Sequence, residues 1–246
     1  MLITSLVMSL NQLLPVAILL VLLQVLDKQY TRKVLLALII GTVMSFLYMQ
    51  SASWVSQWFD HQGLEYSQIG LCIIIFFASL VFAIKQKTVA FCIAIISAMT
   101  LYLSHYIIYL TSFWQNSEVG QSLFIGTFLG VGICLSFSIL LYFLMSSIKY
   151  RFGVKPLLIL LALNSAAKLL VALDLASQVD LIANTATVWD LRDLLTENSE
   201  LGRVLRALIG YEATPNLLSV ITYSISSALF LFLCSFIPTS LTKERV

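Results

Sequence analysis

Seven long apolar runs, broken by short polar connectors, restrict this chain more than any other feature. A helix rises about 1.5 Å per residue, so about 20 apolar residues are needed to cross a bilayer core. The runs fall at roughly 3–26, 34–49, 69–84, 89–111, 120–147, 156–175 and 217–238, the third being among the shortest. With 60% hydrophobic and 11% charged residues and a mean hydropathy of +0.97, the composition is not that of a soluble domain. The expected fold class is therefore an all-α integral membrane protein with seven transmembrane helices.

Charge placement gives the expected orientation. If connectors alternate between sides, one side holds Lys28, Arg32, Lys33, Lys85, Lys87, Lys149, Arg151, Lys155, Lys243 and Arg245, ten of the 14 basic residues. The other side holds Asp60, Glu65, Glu118, Asp180, Asp190, Asp193, Glu197, Glu200 and Glu212, with only Arg192, Arg203 and Arg206 as cations. The excess of Lys and Arg marks the cytoplasmic side, which places the N-terminus outside and the C-terminus in the cytoplasm. All four tryptophans (Trp54, Trp58, Trp114 and Trp189) then fall on the outer side, where indoles favour the interface. The N-terminus lacks a basic n-region and a small-x-small cleavage signal, and reads as a retained first span in the cytoplasmic (inner) membrane.

Local signals add detail. Cys72, Cys92, Cys134 and Cys234 each lie in an apolar run without a C-x-x-C pair and read as small buried hydrophobes. In the long connector 176–216, Leu201, Val204, Leu205 and Leu208 recur at helical spacing. Asn198 or Ser199 is placed to cap that helix, and Gly210 sits where a C′ glycine belongs. The spacing predicts a short amphipathic helix, either lying on the membrane surface or folding back over the bundle, with Arg203 and Arg206 on its polar face. Gly126 and Gly130, four apart in the fifth run, predict close helix packing.

A longer constellation carries a family resemblance. Val188-Trp189-Asp190, Leu194-Leu195, Ser199, Gly202, Leu205, Gly210-Tyr211, Pro215 and Tyr223, together with Ile125-Gly126 and Leu129-Gly130, resemble the bacterial members of the high-affinity iron permease family, the oxidase-dependent iron transporters. The resemblance implies two inverted three-helix repeats (1–87 and 88–175), an outer loop with an amphipathic helix (176–216), and a seventh helix with a cytoplasmic tail (217–246). It implies iron as the transported ion, with no other cofactor. As partners it implies the lipid bilayer, a periplasmic iron-binding or iron-oxidising protein, or a homo- or hetero-oligomer with another permease. Nucleic acid has no place in it. The family binds ferric iron, a hard cation, through paired Arg-Glu-x-x-Glu motifs in the first and fourth spans.

Here the chain departs from that pattern. The first motif falls on Leu10-Asn11-Gln12-Leu13-Leu14 and the second near Thr100-Leu101-Tyr102-Leu103-Ser104, and neither holds an arginine or a glutamate. No Asp or Glu occurs in the first five apolar runs. What remains is neutral: Asn11 and Gln12 ahead of Pro15, then Thr100, Tyr102, Ser104 and His105. These read either as helix-to-helix hydrogen-bonding groups or as the lining of a remodelled pathway. His105 is the one candidate metal ligand, a weak one because a metal site wants three or four ligands. Lys168, within the sixth run beside Asn164 and Ser165, completes the candidate pathway. A fixed cation there would repel a cation in transit.

Three functions remain open: iron uptake through a degenerate or remodelled metal site; a non-transporting scaffold or regulatory subunit beside a competent permease or a periplasmic iron protein; and transport of a different solute with Lys168 as its charge partner. Enzymatic activity is not expected. The sequence offers no nucleophile–base pair, no phosphate loop and no metal-ligand spacing.

Overall fold

A computed structural model describes residues 2–26, 31–114, 117–183 and 185–235. Asp27 and Lys28 of the first connector and Lys243 and Arg245 of the tail lie outside the described residues, as do the side chains of Arg32, Trp114 and Glu118. Among the described residues eight helices follow in order: α1 (Leu2–Leu26), α2 (Thr31–Val55), α3 (Gly63–Lys85), α4 (Thr88–Trp114), α5 (Ser117–Phe152), α6 (Lys155–Gln178), α7 (Glu200–Ile209) and α8 (Leu217–Ser235). All except the ten-residue α7 are long and apolar enough to cross a membrane. The chain is thus an all-helical, multi-pass membrane protein. Among the described residues the only extended pairing is one antiparallel bridge, Thr187 with Asn216.

Helix ends run beyond the apolar runs for local reasons. α3 starts at Gly63, six residues before the hydropathy rise, and takes in Glu65 and Gln68. An acid in the first turn suits the positive end of the helix dipole, which hydropathy cannot register. So acidic residues do enter two of the first five helices, Glu65 in α3 and Glu118 in α5, each in the first turn. α3 stops where Gln86 turns left-handed (φ 46°) and donates its N–H to Phe82 O at 2.8 Å. α6 opens with Pro156 in its first turn, where a missing N–H costs nothing. α1 continues through Pro15 without ending.

Burial sorts the seven spans into two shells. Half or more of the apolar window of α1, α3, α4 and α6 is buried, against 22% in α2 and α5 and 28% in α8. The inner four form the core, with Leu19, Leu22 and Leu23 of α1, Ile75 and Phe82 of α3, Phe91 and Ile95 of α4, and Leu157 and Leu161 of α6 almost fully enclosed. α5 lies mainly along α1, α2 along α4, α3 along α6 and α4, and α8 along α6.

Two of the three peripheral helices, α2 and α5, use glycine to approach their partners. A Cβ on Gly126 would collide with Ser5 Oγ, and one on Gly130 with Ser9 Oγ, so the expected glycine-mediated packing is formed, against α1. On the opposite pair, a Cβ on Gly41 of α2 would sit 2.8 Å from Met99 Cβ of α4, and Ser45 Oγ donates to Met99 O at 2.9 Å. At the basic end, Lys149 Nζ of α5 donates to Val25 O (2.7 Å) and Leu26 O (2.9 Å), closing the last carbonyls of α1 with a cation. All four cysteines are free thiols, with Cys92 half-buried and the others buried.

Candidate functional site

Only part of the expected pathway faces the interior. Thr100, Ser104 and Lys168 are buried, and Tyr102 and Gln12 are partly buried. Asn11 is exposed on α1, and His105 is exposed on α4 between the buried Ser104 and Tyr106. In the chain by itself the rotation of each helix turns both of these side chains away from the core. Among the described residues no group of three His, Cys, Asp or Glu is placed to hold a metal. Thr100 and Ser104 spend their hydroxyls on their own helix, donating to Ile96 O (2.9 Å) and Leu101 O (3.1 Å). That is backbone satisfaction within one helix.

α1 and α4 pack against each other, so the two segments that would carry the family's motifs do lie on neighbouring helices. Their buried faces offer Leu14, Leu101, Thr100 and Ser104 instead of carboxylates.

The chemistry of the interior centres on Lys168. It lies near the middle of α6 and is 2% exposed. Its ammonium donates to Tyr102 Oη of α4 at 3.2 Å and sits 4.9 Å from the centre of the Tyr102 ring. A phenol ring face and hydroxyl stabilise a cation without neutralising it. Among the described residues no carboxylate lies within ion-pair distance of it. One turn back, Asn164 is fully buried, and its Oδ1 and the neighbouring Ser165 Oγ find no hydrogen-bond partner among the described residues.

The segment 176–216 packs over this part of α6, at Asn164 and Ala167. Ser199 caps α7 by accepting from Gly202 N (3.0 Å), which decides between the two candidate caps. Gly210 closes the helix in the left-handed region (φ 71°). The end of α7 then reaches the middle of α6: Asn164 Nδ2 donates to Ala207 O (2.8 Å) and Leu208 O (2.9 Å), and a Cβ on Gly210 would lie 2.5 Å from Ala167 Cβ. α7 therefore does not lie flat on the surface. It folds back into the bundle, against α6 and α1.

A helix end can be buried in an apolar bundle only if its carbonyls are answered. Here five are. Leu205 O accepts from Tyr211 N (3.4 Å) and Arg206 O from Gly210 N (2.9 Å). Asn164 serves Ala207 and Leu208, and Tyr223 Oη of α8 donates to Ile209 O at 2.6 Å.

The residues that carried the resemblance mostly build this cover. Tyr211 Oη donates to Leu195 O (2.9 Å), Pro215 O accepts from Val188 N (3.0 Å), and a Cβ on Gly202 would strike Thr196 O. Asp190 grips Arg192 at the exposed surface, and that guanidinium holds its carboxyl down at about 2. Trp189 is exposed. Arg206 pairs with Glu197 at 3.3 Å and Arg203 with Glu200 at 3.4 Å, with Arg203 largely packed rather than solvated. Sequence reasoning missed Asn164 as the anchor of α7. An asparagine within an apolar run was the one available signal.

No protein family, curated protein or solved structure matches this chain.

Proposed function

We propose that this chain is a divergent membrane protein of the high-affinity iron permease type, serving iron uptake in the cytoplasmic membrane as a subunit rather than as a self-sufficient conductor. The observation that carries the proposal is Lys168. It puts an ammonium in the middle of the core beside α4, one of the two helices where that family places its carboxylates. A cation crossing this interior would meet a fixed like charge in a low-dielectric setting. A partner chain with intact Arg-Glu-x-x-Glu motifs, or a periplasmic iron protein docked on the loop end, would supply the missing ligands.

The helix pairing supports the family plan. Exchanging α1 with α4, α2 with α5 and α3 with α6 turns the α1–α5 pair into the α4–α2 pair and leaves α3–α6 unchanged. In both exchanged pairs the peripheral helix brings the glycine. With three spans per unit, such an exchange implies inverted repeats. The clasp around α7 supports it from the other end, because the resemblance is strongest there.

Radiolabelled iron uptake into proteoliposomes tests the proposal. The chain alone is expected to match empty liposomes, and co-reconstitution with a permease carrying intact motifs is expected to raise uptake above that permease alone. Uptake by the chain alone, above empty liposomes, would sink the subunit reading. A second reading, transport of an anionic solute, is favoured by the same lysine. It predicts uptake of a labelled carboxylate such as succinate that Lys168→Met abolishes.

A further inference from the structure

The seat of α7 on α6 contains more charge than the seat needs. A shallow recess between the two helices is lined by Ala167, Leu170, Val171 and Asp174 of α6, Arg206 and Gly210 of α7, and Glu212 just beyond. Glu197 closes it from the segment before α7. Its Oε2 lies 3.3 Å from Arg206 Nη1, and its Oε1 accepts from Ala213 N at 2.8 Å, directly after Glu212. Glu197 thus pairs with the one guanidinium of the recess, and, among the described residues, Asp174 and Glu212 share that recess without an ion pair of their own. Of the other helices packed on α6, α1 and α8 carry no Asp, Glu, Lys or Arg, while α3 carries Glu65 in its first turn and Lys85 in its last. Lys168, the remaining charge of this part of α6, is engaged with Tyr102.

We propose that Glu212 is a pH-operated latch on α7: carrying its proton it lets α7 seat against α6, and losing it loosens that seat and uncovers the Lys168 centre. The geometry explains the choice of residue. Glu197 holds Arg206 and the backbone of Ala213, so Arg206 is already neutralised. Glu212 is left half-buried in a recess it shares with Asp174. Burial first, then Asp174 and Glu197, push its carboxyl from an ordinary 4.5 up to about 7, against the opposing pull of Arg206. An acid with a raised value in the seated state favours seating most fully below its ordinary value. That contribution fades as pH rises through the raised one. Opening is therefore favoured on the alkaline side, and the transition falls near neutrality. The latch concerns the docking of α7 and holds whichever solute or partner the protein serves.

Hydrogen–deuterium exchange of the full chain in lipid nanodiscs, corrected for the intrinsic pH dependence of exchange, reads the seat directly at residues 203–210. In the wild type, protection there is expected to fall about tenfold between pH 6 and pH 8. Glu212→Gln is expected to stay protected and flat over that range, while Asp190→Asn, on the exposed surface, keeps the wild-type profile. Asp174→Asn removes a neighbouring negative charge, and is expected to move the transition to lower pH. Flat protection in the wild type, a Glu212→Gln profile like that of the wild type, or an Asp174→Asn transition unmoved or moved to higher pH would each overturn the latch. None of these results depends on iron, so they leave the subunit proposal to its own uptake assay.

Discussion

At the scale of single residues, Asn164 and Lys168 show how one helix turn can hold two opposite solutions for a buried polar group. Asn164 spends its amide on two carbonyls of α7, and removing it leaves both without a donor in an apolar setting. Asn164→Ala is expected to cost about 1–3 kcal/mol, seen as a lower melting temperature and as faster exchange at Ala207 and Leu208. Lys168 has a phenol but, among the described residues, no counter-charge within ion-pair distance. Lys168→Met is expected to hold or raise the melting temperature in lipid. Volume-conserving swaps cost under about 1.5 kcal/mol, and the charge's desolvation penalty, a few kcal/mol, disappears. A large loss of stability would mean that the lysine holds the core together, and the argument for a functional charge would fail. Residue identity made Lys168 legible from the sequence. The role of Asn164 was not, because its partners lie 43 and 44 positions further along the chain. The outward facing of His105 and Asn11 was hidden for a related reason. Periodicity tells which residues share a face of one helix, and says nothing about how far that helix is rotated against its neighbours.

At the scale of elements, the paired glycines decide how the shells meet. Gly126 and Gly130 seat the backbone of α5 on Ser5 and Ser9 of α1. Gly126→Ile or Gly130→Ile is expected to destabilise the bundle by about 1–3 kcal/mol each through overpacking, measured by thermal unfolding in detergent. Gly132→Ile on the same helix, where nothing lies within 4 Å of a Cβ, is expected to leave stability unchanged. The small-residue spacing gave away the contact but not its partner. The caps of α7, Ser199 and Gly210, were likewise legible, since capping is a local matter of side-chain type and left-handed backbone. Its depth was not. An amphipathic stripe suits a bilayer surface and a half-buried groove equally well, and only the tertiary carbonyl partners choose between them.

At the scale of the whole molecule, seven apolar runs sufficed to give the number and order of the spans, because a bilayer leaves the chain few alternatives. The division into an inner four and an outer three was not visible, since lipid and protein interior ask for the same side chains. The functional prediction belongs to this scale. The chain alone is expected to leave iron outside the vesicle, and its uncovered interior is expected at alkaline rather than acidic pH.

The clasp on α7 also orders events in time. Its donors come from α6, made before it, and from Tyr223 of α8, made after it. While the nascent chain has only six spans, Ile209 O lacks its Tyr223 donor, and the seat of α7 is incomplete. The cover can settle only once α8 has entered the bilayer, so the interior stays unshut until that helix is in place.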